Sequence, residues 1–135
     1  MSVRESEREL SKIEFLKVLR DIEIFWIEKQ NIKPKKYRYF ISAHIISHSA
    51  NAYSNAKMGN SIYAKDDEYA QRTRKHYFQK AYVEIQALIS QVDVIYSAYK
   101  SDILTNGEIE EISKMMYDSL NLIKSVINSD KRRYK

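Results

Sequence analysis

The sequence predicts an all-α fold, an antiparallel up-down-up-down four-helix bundle, and three observations carry that expectation. Two glycines and one proline are the only strong punctuation in 135 residues, too few for an all-β or loop-rich chain. Apolar residues recur at steps of three and four through four long stretches, the period of helices with one buried face. Short connections between helices of comparable length then make sequential neighbours run antiparallel. The length and a hydrophobic content of 44% suit one core. The expected organisation is a bundle over residues 1–130 and a basic tail over residues 131–135.

The first helix is expected from about Glu5 to Lys29, with Phe15, Leu19, Ile22 and Trp26 as its stripe and Leu16, Val18 and Phe25 beside it. Pro34 ends it, because proline lacks a backbone donor and restricts the residue before it, and Pro34 suits the first turn of the next helix. That second helix, about Lys36 to Lys57, is rich in small residues and places Tyr37, Ile41, Ile45, His48 and Ala52 on one face. Gly59-Asn60 is its expected stop.

The third helix, about Asp67 to Lys100, carries the clearest pattern. Phe78, Ala81, Ile85, Leu88, Val92, Ile95 and Tyr99 follow a 3-4-3-4 seam. Asp66, Asp67 and Glu68 oppose the positive end of its dipole, and its first turns, Tyr69 to Lys75, are expected to project beyond the core. Thr105-Asn106-Gly107-Glu108 matches a capping box and opens helix four, whose stripe is Ile109, Ile112, Met116, Leu120, Ile123 and Ile127. This helix is expected to end near Asn128-Ser129, leaving a mobile tail.

Several function classes fall away. With no cysteine, disulfides, thiolate metal sites and cysteine nucleophiles are excluded. No stretch has the apolar length of a membrane span and the N-terminus lacks the apolar core of a signal peptide, so a cytoplasmic protein without membrane contact is expected. His44 and His48 stand at i and i+4, a spacing that can begin a zinc site. Ile45 replaces the glutamate of the zinc-protease motif and no third ligand follows, so a packing or interface role is the better reading. A metal-dependent hydrolase built on His44, His48 and His76 is the least favoured reading. Glu108, Glu110 and Glu111 cluster at a helix start, where the dipole already accounts for them. No phosphate-cradling glycine loop or nucleophile elbow occurs. A non-enzymatic protein without cofactors is expected.

The net charge of +5 is unevenly spread. Residues 1–30 carry six basic and seven acidic side chains, residues 31–65 carry six basic and no acidic ones, and residues 87–130 are acidic. Three basic groups result: Lys33, Lys35, Lys36 and Arg38; Arg72, Arg74, Lys75 and Lys80; and Lys131, Arg132, Arg133 and Lys135. In the expected topology these form two poles. The turn joining helices one and two shares an end with that joining three and four, while the start of helix three shares the other with the C-terminus. Tyr37, Tyr39, Tyr63, Tyr69 and Tyr77 are available to stack on unpaired bases beside these charges. The plainer alternative is that the cations solvate helix faces and the tyrosines pack with their hydroxyls outward.

Ala52-Tyr53-Ser54-Asn55 through Gly59, Glu68-Tyr69, Arg72, Arg74, the helix with Glu84, Gln86 and Gln91, Leu122-Ile123-Lys124 and Ser129-Asp130-Lys131-Arg132 give a wider pattern. Over about residues 10–133 it resembles the accessory variability determinants of diversity-generating retroelements, which are similar to the ribosomal RNA intervening-sequence proteins. The resemblance implies a basic, ring-shaped homopentamer. It would bind a reverse transcriptase and its template RNA or RNA/DNA hybrid, supporting mutagenic cDNA synthesis without being catalytic. Arg72, Arg74, Lys75 and Lys80 fall where that family carries basic residues on its third helix. The first and fourth helices here are more acidic than in strongly basic members, which argues against tight nonspecific binding to duplexes. A structural or protein-interaction bundle of the intervening-sequence type, with tyrosines at subunit contacts, is the alternative.

Overall fold

Each apolar stripe of the sequence becomes one helix, and the lines along which the stripes meet form the core. The computed structural model describes the backbone of residues 3–134 and the side chains of residues 14–134. Helix α1 spans Val3–Ile32, α2 residues 35–61, α3 Glu68–Tyr99 and α4 Asn106–Arg133, and no strand occurs among the described residues. The helices pack in a ring, each against its neighbours in sequence, with α4 closing on α1.

Contacts between helix ends fix the directions. The second turn of α3 meets the end of α4 through Arg74 and Asp130, while Tyr96 near the end of α3 bonds Asn106 at the start of α4. Tyr37 at the start of α2 packs its ring 4.9 Å from that of Tyr99 at the end of α3. Lys29 near the end of α1 donates to Glu108 in the first turn of α4. Each of these pairs therefore runs antiparallel.

The termini are built as local chemistry requires. Pro34 sits at the N-cap of α2 with φ −55° and ψ 152°, one residue outside the first turn expected for it. Asp67 caps α3 by accepting from the Ala70 N–H at 3.1 Å. Thr105 and Glu108 form the reciprocal capping box of α4, with bonds of 3.1 and 3.0 Å. Ile103 and Leu104, both fully buried, anchor the connection before it.

Phe15, Leu19, Ile22 and Trp26 from α1 and Phe78, Ala81, Ile85, Leu88, Val92 and Ile95 from α3 are buried as their spacing predicts. Burying each large apolar side chain contributes roughly 1.5–3 kcal/mol. Helix α4 turns Ile112, Met116, Ser119, Ile123 and Val126 inward, with Ile109, Leu120 and Ile127 half-buried on its flanks.

Helix α2 departs most from expectation. It consists of α-helical Lys35–Phe40, a π-helical stretch Ile41–Ile46 and α-helical Ser47–Ser61. Its buried positions are Tyr37, Ile41, Ile45, Ser49, Ala52, Ala56 and Gly59. Three consecutive steps of four drift around a 3.6-residue helix, and the wider π turn returns them to one face. Ser49 thereby takes the inward place expected of His48. Gly59 does not adopt a left-handed cap conformation. It is buried where α2 and α3 approach closely, and a Cβ there would lie 2.8 Å from the Phe78 ring.

Two boundaries also move. Helix α4 continues to Arg133, so Lys131, Arg132 and Arg133 form its last turn instead of a mobile tail; Lys135 lies outside the described residues. The start of α3 does not project, since Arg74 is buried and Gln71 Nε2 donates to the Ala64 carbonyl at 3.1 Å.

Candidate nucleic-acid interface

Arg74 organises one end of the bundle. It stands four residues before Phe78 and seven before Ala81, in register with the buried seam of α3, and is only 3% exposed. Its Nε donates to Asp130 Oδ2 at 2.6 Å and Nη2 to Asp130 Oδ1 at 3.3 Å, a fork geometry suited to guanidinium and carboxylate. Nη1 donates to the carbonyls of Gly59 and Ile62 at 3.2 and 3.4 Å. Those carbonyls lie at the C-terminal end of α2, where orphan acceptors need a partner. The guanidinium also lies 4.8 Å from the centre of the Phe78 ring. Expected as a nucleic-acid or polymerase contact, Arg74 is instead an internal clasp joining α2, α3 and α4. All of its charge is committed to that work.

The clasp brings the other cations together. Asp130 immediately precedes Lys131, Arg132 and Arg133, so fixing it places the basic last turn of α4 beside the start of α3. Arg72 and Lys75 flank Arg74 and are exposed, as are Lys57 near the end of α2 and Lys65 in the connection that follows. Tyr63 and Tyr69 stand on this end, 79% and 72% exposed. The acids here are Asp66, Asp67, Glu68 and Asp130, of which Asp67 is engaged in its cap and Asp130 in the clasp. Cations outnumber acids at this end among the described side chains.

The opposite end is more balanced. Lys35, Lys36 and Arg38 are exposed and Lys33 is half-buried, with Lys36 over the Tyr37 ring at 5.0 Å. Exposed Asp102, Glu110 and Glu111 share this end, and Asp102 accepts from the Tyr37 hydroxyl at 3.5 Å. Buried Lys29 donates to Glu108. That bond, with the Thr105 N–H adding to it, holds the Glu108 carboxyl below its ordinary pKa range. A helix of 27 residues is about 40 Å long. The Lys33–Arg38 group therefore cannot join Arg72, Lys75 and the α4 terminus in one patch.

Lys80 belongs to neither end. It lies partway along α3, 5.9 Å from the Tyr77 ring centre, on a groove of about 420 Å³ between α2 and α3. Asn51 and Asn55 line one wall of this groove, and His76, Gln79 and Glu84 line the other. Asn51 and Gln79 do not stand out in the sequence, because exposed Asn and Gln on a helix add nothing to its apolar period.

The histidines do not converge. His48 Nδ1 lies 2.7 Å from Glu84 Oε2, whereas His44, inside the π turn, is exposed and packs its ring 4.6 Å from that of Phe40. No group of three His, Asp or Glu side chains gathers as a metal site would need among the described residues. No described helix is long and apolar enough to cross a membrane. Comparison with family models, curated proteins and solved structures finds no match to this chain.

Proposed function

We propose that the protein is a non-catalytic accessory bundle that binds RNA, or an RNA/DNA hybrid, through the end built by the start of α3 and the last turn of α4. The observation that carries this reading is the Arg74–Asp130 clasp. It sets the start of α3, with Arg72 and Lys75, beside the last turn of α4, with Lys131, Arg132 and Arg133, at the end that carries exposed Tyr63 and Tyr69. Clustered cations neutralise phosphates and release counterions, and tyrosine faces stack on unpaired bases. The resemblance to accessory variability determinants extends the proposal to a cytoplasmic partner of a retroelement reverse transcriptase, acting as a homopentamer. A ring would repeat the basic end around its axis, and avidity would raise affinity without new contacts.

The test is binding of a structured RNA by fluorescence anisotropy from 50 to 200 mM salt, with the solution mass followed by light scattering. Affinity is expected to fall steeply with salt. Arg72→Ala with Lys75→Ala is expected to shallow the slope of log K against log salt by roughly 0.7–0.9 per lost phosphate contact, with little change in stability. Binding that ignores both salt and these substitutions would refute the proposal. A pentamer with no RNA affinity would instead support the protein-interaction alternative.

A further inference from the structure

Positive charge continues from the basic end along one side of the bundle. Residues 69–92 of α3 and 119–133 of α4 contain two acids, Glu84 and Asp130. Both are committed, Glu84 to His48 at 2.7 Å and Asp130 to Arg74. These two half-helices therefore present lysine and arginine without an uncommitted carboxylate, as far as Asp93 on α3 and Asp118 on α4. Two cross-links fix how the cations line up. Arg74 meets Asp130 and Tyr96 bonds Asn106, so each step along α3 toward Tyr96 matches a step back along α4 toward Asn106. Lys131 and Lys75 stand one residue to either side of the clasp, and Lys124 lies six residues back along α4, about 9 Å further from the end.

The helical repeat puts these lysines on one side. Lys124 follows Asn106 by 18 residues, five full turns, and so shares the side of α4 on which Asn106 receives Tyr96. Lys131 stays within about 20° of it, and on α3 Lys75 falls about 60° around the axis from Tyr96. Lys80 falls about 160° from Tyr96, on the flank that lines the groove against α2, where the Glu84 carboxylate stands beside it. Lys75, Lys80, Lys124 and Lys131 are all exposed. Given the nucleic-acid reading above, on which this rests, we propose that the bound nucleic acid runs from the basic end lengthwise up the side between α3 and α4. Lys124 holds a phosphate beyond those at Lys75 and Lys131, and the contact stops short of Asp93 and Asp118. Lysines strung along a helix pair suit an extended polyanion, since each phosphate neutralised in turn releases counterions.

The experiment measures anisotropy of a labelled structured RNA from about 50 to 200 mM salt on the full chain and on Lys124→Ala, Lys80→Ala and Lys114→Ala. Each variant removes one positive charge from an exposed position, so an effect of net charge alone moves all three alike. Lys114, with its side chain 81% exposed and 3.9 Å from Asp118, is the control on α4 outside the track. Lys124→Ala is expected to shallow the slope of log K against log salt by about 0.7–0.9, the share of one phosphate contact. Lys124→Arg should restore the slope, whereas Lys80→Ala and Lys114→Ala should leave it unchanged, with unfolding midpoints equal throughout. A slope reduced alike by all three alanine variants, or by Lys80→Ala and not Lys124→Ala, overturns the track. Binding weakened by Arg72→Ala with Lys75→Ala yet indifferent to Lys124→Ala also overturns it and leaves the basic end standing. Absence of salt-dependent RNA binding by the intact chain overturns both.

Discussion

Replacing Arg74 tests whether it is a clasp or a contact. Arg74→Ala leaves Asp130, with a side chain 13% exposed, without its partner, and removes the donor to the Ile62 carbonyl and one of the two donors to the Gly59 carbonyl, which also accepts from the Ile62 N–H. Breaking a buried ion pair on one side costs about 3–5 kcal/mol. Domains of this kind have total stabilities of roughly 5–15 kcal/mol, so the loss would be a large share. An unfolding entropy of about 2.1 cal/mol/K per residue over 135 residues gives roughly 0.28 kcal/mol/K, so the midpoint should fall by about 11–18 °C. The assay is urea and thermal unfolding followed by circular dichroism. A double-mutant cycle with Asp130→Ala should return a coupling of roughly 0.5–3 kcal/mol. Arg74→Lys keeps the charge but lacks the planar fork, so it should also destabilise the fold, whereas a surface phosphate ligand would tolerate it. An Arg74→Ala protein within about 1 kcal/mol of wild type, or a cycle with no coupling, would refute the reasoning.

Three further outcomes are expected. Gly59→Ala would bring a methyl 2.8 and 2.9 Å from Phe78 ring carbons and 3.3 Å from the Arg74 carbonyl oxygen. An overpacking cost of about 1–3 kcal/mol should exceed the roughly 1 kcal/mol that alanine gains in helix propensity, and Phe78→Leu should relieve part of it in urea titrations. Lys100 holds φ 50° and ψ −131°, a region that glycine occupies without strain, so Lys100→Gly should raise the unfolding midpoint rather than lower it. Glu108 has a depressed carboxyl pKa in the folded state. Its contribution is therefore complete above the ordinary glutamate range and lost as pH falls through the folded value. Between about pH 5 and 3, unfolding free energies should fall more steeply for wild type than for Glu108→Gln.

Periodicity revealed the helices because burial imposes it. Phe15, Leu19, Ile22 and Trp26, and the α3 seam from Phe78 to Ile95, are spaced as a buried face requires, and the capping box at Thr105 is a local signal. Where the inward face needed an irregular backbone, the signal failed. The π turn at Ile41–Ile46 moved the buried position from His48 to Ser49, because a strict 3.6-residue period cannot express a wider turn. Charge was harder still. Arg74 reads as one cation among several, yet its register with Phe78 and Ala81 marked it as inward-facing. Asp130, its partner, lies 56 positions away, and no local pattern links the two. The tail read as mobile because the apolar stripe stops at Ile127, but α4 continues through Arg133.

The close approach of α2 and α3 connects the packing to the groove between them. Ser49, Ala52, Ala56 and Gly59 form the inward face of α2, and small side chains let two helix backbones come near each other. Asn51 and Asn55 each stand one position before Ala52 and Ala56, which puts them on the flank of that seam instead of within it. The spacing of the two helices therefore sets the width of the groove that Asn51 and Gln79 line. A change at Gly59 should consequently act twice, weakening the fold and shifting the amide resonances of groove-lining Asn51 and Asn55 even at temperatures where the variant remains folded. Asn51→Ala/Gln79→Ala, at two exposed positions, should leave the unfolding midpoint nearly unchanged. If Gly59→Ala lowered stability yet left those resonances unmoved, the groove would not depend on the helix spacing that this packing sets.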